Sequence, residues 1–391
     1  MTPAPIAVAI VGCGGIARTH AQAVSMNDGR VTALIDPHVS NAEPFADEIA
    51  VGSARPAAFS DLASAFAGAP IDLVAITTPS GIHVGPAVEA LAAGRHILVE
   101  KPLDVRLPGA IELDRAAAAA AERGVIAGAV SQHRFDPSSA VVHQAIRDGR
   151  FGDLTSAVAS MPWWRSQGYY DSAEWRGTWA MDGGGALMNQ GIHTLDLLVW
   201  FLGTPTEITA RMSRLAHTNI EVEDTLVATI AFESGALATL HATTGAYPGL
   251  PTRIQVSGDK GSGVIEQDQL TYFYESDRDP SEVNAFGLNG QRNQRDEVLD
   301  PTENVPLPDP TDSAVGHARQ YADLFGAIRN RSRPLVTVGD AIRSLATAHA
   351  IYLAATIGGT VAIADVLGGT YPDLAYQVSA DNAQRASTAT R

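Results

Sequence analysis

Over the first 130 residues, short apolar runs alternate with alanine-rich stretches of helical spacing. Residues 6–11, 31–35, 73–77 and 96–99 read as strands. Residues 17–26, 42–50, 61–66, 84–93 and 108–123 lie between or after them as helices. Strands separated by helices predict βαβ units and a parallel sheet covered on both faces. The run of alanines at 116–121 is a plain helix on this reading, since alanine is the strongest helix former. Beyond residue 150 the pattern changes. A tryptophan-rich segment at 161–179 precedes Asp182-Gly183-Gly184-Gly185, which opens a long helical stretch to Leu202. Strand-length segments follow at 206–215, 224–232, 236–244, 252–257 and 263–267, separated by short polar turns, which predicts an antiparallel or mixed sheet. Residues 277–312 are polar and proline-rich and read as a long surface loop; 320–329 and 341–356 return to helical spacing. The expected organisation is an α/β chain: a doubly wound parallel domain over 1–130, a second α/β domain over 131–375, and a flexible tail over 376–391 with little to bury.

Composition narrows the function. The chain has 391 residues, 45% hydrophobic and 18% charged, which suits two globular cores. Its 27 basic and 43 acidic side chains give a formal charge of −16. That balance argues against a general nucleic-acid or anionic-membrane binder, which needs a basic face. The lone Cys13 excludes an intramolecular disulfide and any multi-cysteine metal site, and no metal is expected. The N-terminus shows no basic signal region, and no apolar run reaches the roughly 18–20 residues that span a bilayer, so a cytoplasmic protein is expected.

Gly12-Cys13-Gly14-Gly15-Ile16-Ala17 follows the first strand and fits G-x-G-x-x-A. Gly12 allows a tight turn, Gly14 lets the backbone approach a pyrophosphate, and Ala17 allows the helix to pack closely on the strand. Asp36 ends the second strand, where a carboxylate can hold both ribose hydroxyls and repel a 2′-phosphate. The expected cofactor is therefore NAD in preference to NADP.

The basic residues are arginine except Lys101 and Lys260. Lys260 sits in a polar turn. Lys101 follows the fourth strand in Glu100-Lys101-Pro102, at the carboxyl edge where open α/β sheets bind ligands. Lysine, unlike arginine, can release its proton. On a helix from Gly185 to Leu202, Ile192, Leu195, Val199 and Leu202 make an apolar stripe, and Asn189, His193 and Asp196 share one face within about 60°. His193 is a candidate general base there, or a satisfied histidine bonded to Asp196.

These segments, with Thr78-Pro79-Ser80-Gly81-Ile82-His83 and Gly183–Asp196, resemble the Gfo/Idh/MocA oxidoreductases over residues 6 to about 363. The resemblance implies a Rossmann domain followed by an α/β domain with an open, mostly antiparallel sheet that often forms a dimer or tetramer interface. It implies hydride exchange between a nicotinamide and the carbinol carbon of a sugar or cyclitol, with Lys101 and His193 at the chemistry. It adds Thr78, Pro79, His83 and Glu100 to the cofactor-side residues Gly12, Gly14, Gly15, Ile16, Ala17, Asp36 and Lys101. Many members have Asp four residues before the histidine. Here Asn189 stands instead, able to orient a hydroxyl but not to ionise.

Trp163, Trp164, Trp175 and Trp179 crowd into the segment before that helix, together with Arg165, Tyr169, Tyr170, Arg176 and Asp182. Trp164, Arg165, Tyr169, Arg176 and Asp182 are candidate sugar contacts, with domain packing as the competing role. The arginines leave carboxylates and phosphates open as ligand groups. The alternatives to a sugar or cyclitol dehydrogenase are an NAD-dependent glycosidase of the same fold and a non-catalytic NAD-binding regulator.

Overall fold

The computed structural model describes residues 4–276, 292–304, 314–371 and 375–378. The loop expected at 277–312 is covered only at 292–304, where Arg295–Val298 forms one helical turn, and the tail at 379–391 lies outside the described residues. The chain divides into two compact units, 1–132 with 308–342 and 133–307 with 343–391.

The first unit is built on a parallel sheet of β1 (Ile6–Val11), β2 (Gly29–Ile35), β3 (Ala57–Phe59), β4 (Leu73–Ile76), β5 (His96–Val99) and β6 (Ala127–Ala129), in the order β3-β2-β1-β4-β5-β6. Every residue of β1 and β4 is buried, because both faces are covered, and this makes the strands legible as unbroken apolar runs. The strand order reverses between β1 and β4. That switch point is where a doubly wound sheet presents a crevice at its carboxyl edge. The helix Ala314–Asn330 returns to this unit. Its Tyr321, Leu324 and Phe325 join Val24, Val31 and Leu34 in one core, and Asn27 Nδ2 donates to the Ala318 carbonyl at 2.9 Å.

The second unit carries β7 (Leu154–Pro162), β8 (Pro205–Ser213), β9 (Thr225–Phe232), β10 (Leu237–Thr243), β11 (Arg253–Gly258), β12 (Gly261–Glu266), β13 (Gln269–Glu275) and β14 (Val361–Ala362), ordered β13-β12-β11-β7-β10-β9-β8-β14. The pairing of β7 with β10 is parallel and the other pairings are antiparallel. Burial alternates along β8 and β9, so one face of the sheet is covered and the other open.

One expected element differs. The helix foreseen from Gly185 to Leu202 starts as a wider π-helical turn over Ala186–Gly191 and becomes α-helical at Ile192–Leu202. It is also not amphipathic. From 186 to 202 only Asn189, His193 and Trp200 keep partial exposure, the rest being buried. The expected apolar stripe is one side of a helix enclosed on nearly all sides.

Candidate functional site

In the first unit the glycine-rich turn sits at the switch point. Gly12 has φ +92°, and a Cβ there would lie 2.8 Å from the Thr78 nitrogen and 2.9 Å from the Thr77 carbonyl group. Glycine is required by the backbone and by its neighbour alike. A Cβ on Gly14 or Gly15 would meet nothing within 4 Å. The helix Gly15–Ser25 begins there with no side chain capping it and no acidic residue in its first turn. An open cradle facing unsatisfied helix N–H groups is what a pyrophosphate needs, so these residues fit a dinucleotide. Ile16 follows inside the first turn, and Ala17 is fully buried against the sheet.

Asp36 ends β2 beside this turn. Its carboxylate accepts from the backbone N–H of Cys13 at 3.1 Å and of His38 at 2.9 Å, and from Asn41 Nδ2 at 3.2 Å. Burial and the nearby Asp36 charge push the Cys13 thiol up to about 12, so it stays protonated and unreactive. Thr78 and Pro79 lead from β4 into a short turn ending at His83. That histidine is buried, with Nδ1 2.8 Å from the Pro102 carbonyl and Nε2 2.8 Å from the Thr78 carbonyl. Burial lowers its pKa against the pull of those carbonyls, and a neutral ring donates to one of them at a time. His83 therefore braces the two loops that flank the crevice.

Glu100 is buried beneath Lys101. Its Oε1 accepts from His20 Nε2 at 3.0 Å and His317 Nε2 at 3.2 Å, while Oε2 accepts from the Lys101 backbone N–H at 2.9 Å. His20 Nδ1 in turn lies 2.8 Å from the Tyr321 hydroxyl. Burial alone would raise the Glu100 pKa, but the two imidazoles outweigh it and hold the carboxyl well below its usual range. Burial lowers the pKa of His20, so a neutral ring donates to an ionised carboxylate. The partly exposed Lys101 is thus fixed by its own backbone.

In the second unit Asn189 and His193 are, with Trp200, the partly exposed residues of a helix buried elsewhere. Asn189 Nδ2 donates to Asp182 Oδ1 at 2.8 Å, and Asp182 Oδ2 accepts from the Gly177 N–H at 2.9 Å. The His193 ring lies edge-on to His133, centroids 5.1 Å apart. His133 Nδ1 is 2.8 Å from Asp136 and 3.2 Å from Asp268. Burial opposes its charge, but these two carboxylates hold its pKa well above the ordinary value. Asp196, three residues further along the helix, is held by two other side chains. It is clamped by Arg134 Nε at 2.7 Å and Nη2 at 2.6 Å, and by the Ser344 hydroxyl at 2.7 Å.

Glu223 was invisible in the sequence and is central here. Its carboxylate accepts from the N–H groups of Gly185 and Leu187, both at 2.9 Å, and from the Tyr352 hydroxyl at 3.1 Å. It pins the start of the π-helical turn. Burial pushes its carboxyl up to about 7 against those hydrogen bonds. A Cβ on Gly185 would lie 1.7 Å from the Glu223 carbonyl oxygen, which explains the glycine. The only sequence signal was the glycine run opposite it.

The tryptophans do not form one cluster. Trp163 Nε1 donates to Thr252 at 3.0 Å, Trp164 is exposed against Tyr247, and Trp179 packs on Tyr352 and Tyr376. Trp163 and Trp175 lie under Arg165 and Arg176, the two guanidinium groups that also lie over Tyr169. Among the described residues, His20, Glu100 and His317, and His133, Asp136 and Asp268, are the two groups with ligand atoms close enough to hold a metal ion, and both sets are already joined by hydrogen bonds. No helix among the described residues is long and apolar enough to cross a membrane.

Residues 6–129 match the family model described as an oxidoreductase family with an NAD-binding Rossmann fold, and 140–264 match that of the GFO/IDH/MocA C-terminal domain. A 1,5-anhydro-D-fructose reductase from Ensifer adhaerens is 26% identical, covering 89% of this chain and 96% of its own length. An inositol 2-dehydrogenase from Rhizobium meliloti is 28% identical over 66% of this chain and 74% of its own. The crystal structure of the WlbA dehydrogenase from Bordetella pertussis, in complex with NADH and UDP-GlcNAcA, is 28% identical with a TM-score of 0.79, covering 93% of this chain and 99% of that one.

Proposed function

We propose that this chain, which belongs to the Gfo/Idh/MocA oxidoreductase family, moves a hydride between NAD and a secondary hydroxyl of a sugar or cyclitol. The observation that carries the reading is the open glycine cradle at the β1/β4 switch point, with Lys101 fixed on the same carboxyl edge. The names of the relatives support the substrate class. The nicotinamide, when bound, accepts or returns the hydride. Gly14 and Gly15 would admit the pyrophosphate, and Asp36 would hold the adenosine ribose and disfavour a 2′-phosphate.

His193, or Lys101 in its neutral form, takes the hydroxyl proton as the C–H bond breaks. Lys101 hydrogen-bonds the developing alkoxide, and Asn189, oriented by Asp182, fixes the hydroxyl. The protein works in the cytoplasm as a homodimer or homotetramer; exposed Val158, Val227 and Leu237 on the second sheet support the assembly. The test is a panel of pyranoses, anhydrosugars, cyclitols and sugar nucleotides with NAD and NADP in parallel. The reading expects NADH from at least one member and weaker use of NADP. No reduction with any member, or a clear NADP preference, would refute the corresponding part.

A further inference from the structure

Beside Asn189 two arginines converge on one phenol. The guanidinium carbons of Arg165 and Arg176 lie 5.4 and 4.4 Å from the centre of the Tyr169 ring. Each also lies over a tryptophan, Trp163 at 5.1 Å and Trp175 at 4.6 Å. Arg176 Nη1 donates to the Tyr169 hydroxyl at 2.8 Å and Arg165 Nη1 to the Trp164 carbonyl at 3.2 Å. Among the described residues neither guanidinium forms an ion pair with a carboxylate. In a chain of formal charge −16, two guanidinium groups gathered with no ion-paired carboxylate among the described residues suit an anion from outside.

Two buried polar atoms make the site specific. Gln190 is only 6% exposed; its Nε2 donates to the same Tyr169 hydroxyl at 3.2 Å, and its Oε1 accepts nothing. Arg176 Nε is also buried and donates to nothing. A buried polar group without a partner is costly, so a ligand that supplies both partners gains on both. The unmet groups are a guanidinium donor and an amide acceptor. Together they match an oxyanion next to a hydroxyl.

We infer that Arg165, Arg176 and Gln190 form a subsite for a carboxylate carried on a hydroxylated ring, so that the substrate of the reaction proposed above is a sugar acid. This rests on that reading for the reaction, though not for the binding. The planar guanidinium fork suits a planar carboxylate, and the aromatic faces hold the fork in place. Gln190 Oε1 accepts from the neighbouring ring hydroxyl.

The test is calorimetric binding to the full-length protein in the presence of NADH, using glucuronate, galacturonate, the matching neutral hexoses and glucose 6-phosphate. Arg176→Met and Arg165→Met are measured alongside, with Tm confirming that each folds. A hexuronate should bind at least tenfold more tightly than its hexose. Arg176→Met should weaken it by about 10- to 100-fold, the range of a charge-assisted pair, and weaken the hexose by a smaller factor. Equal binding of hexuronate and hexose, or unchanged hexuronate binding in both variants, would overturn the subsite. Tighter binding of the phosphate ester would overturn the carboxylate assignment. Arginine-dependent hexuronate binding with no NADH formed from any sugar would leave the subsite standing and remove the dehydrogenase reading.

Discussion

Glu100 and Glu223 are both buried, each within its own unit, and each accepts hydrogen bonds from the backbone that leads to a proposed catalytic side chain. Glu100 holds the Lys101 N–H; Glu223 holds the turn that precedes His193. Their surroundings differ in one respect. Glu100 faces two imidazoles, whereas Glu223 faces two backbone N–H groups and a phenol. The imidazoles keep Glu100 ionised, while burial dominates at Glu223 and lifts its carboxyl to about 7. Two pins of similar geometry therefore have different protonation chemistry. The support beneath Lys101 is insensitive to neutral pH, and the support beneath the His193 helix is not.

The largest test removes the ionised pin. Glu100→Ala removes the carboxylate that accepts from His20, His317 and the Lys101 N–H and is expected to cost about 3–5 kcal/mol in denaturant unfolding, from buried hydrogen bonds to a charged group at roughly 1.5–3 kcal/mol each, not fully additive. A loss below about 1 kcal/mol would break the comparison on that side.

The pH dependence of stability separates the two glutamates next. Glu223 binds its proton more tightly folded than unfolded, so between the ordinary glutamate value of 4.5 and about 7 the folded state holds the extra proton and stability falls as pH rises. The full effect is roughly 3 kcal/mol, from a shift of about two and a half units at 1.36 kcal/mol each. Glu223→Gln should flatten that slope in a Tm-against-pH series. Glu100 behaves in the opposite sense. Its contribution is complete above 4.5 and is lost as pH falls through its depressed folded value, so substituting it should alter only the acid limb.

The smallest effect concerns a third buried carboxylate, Asp36, which meets three N–H donors at the edge of the glycine cradle. Asp36→Ala should narrow the preference for NAD over NADP by about tenfold in kcat/KM, worth 1.4 kcal/mol, without affecting either pin. An unchanged ratio would assign Asp36 to holding the turn alone.

Much of the first unit was legible because its buried strands are apolar throughout and its helices are rich in alanine. The edges of β1 and β5 match the sequence reading. Strands β3 and β6 were missed; at three residues each they are too short to carry a periodic signal. The return of residues 314–342 to the first unit was illegible as well. Tyr321 and Phe325 look like ordinary core residues, and local pattern does not say which core.

At the site, Gly12, Asp36 and Lys101 stood out through motif and composition. The grouping of Asn189, His193 and Asp196 assumed a uniform α-helix, whereas Asn189 lies in a π-helical turn and Asp196 is also clamped by Arg134. Glu223 and Gln190 act through partners distant in sequence, so no spacing marked them, and His133 joins the nearby Asp136 to the distant Asp268.

The central claim is that Lys101 and His193 both serve the transfer of a hydride from a carbinol carbon. The most direct measurement is the rate of NADH formation by Lys101→Ala and His193→Ala on the best substrate of the panel, with NADH binding measured in parallel. The account predicts losses of about 10²- to 10⁴-fold in kcat for each variant, the range of general acid–base catalysis, with NADH still bound. Near wild-type turnover in both would contradict it.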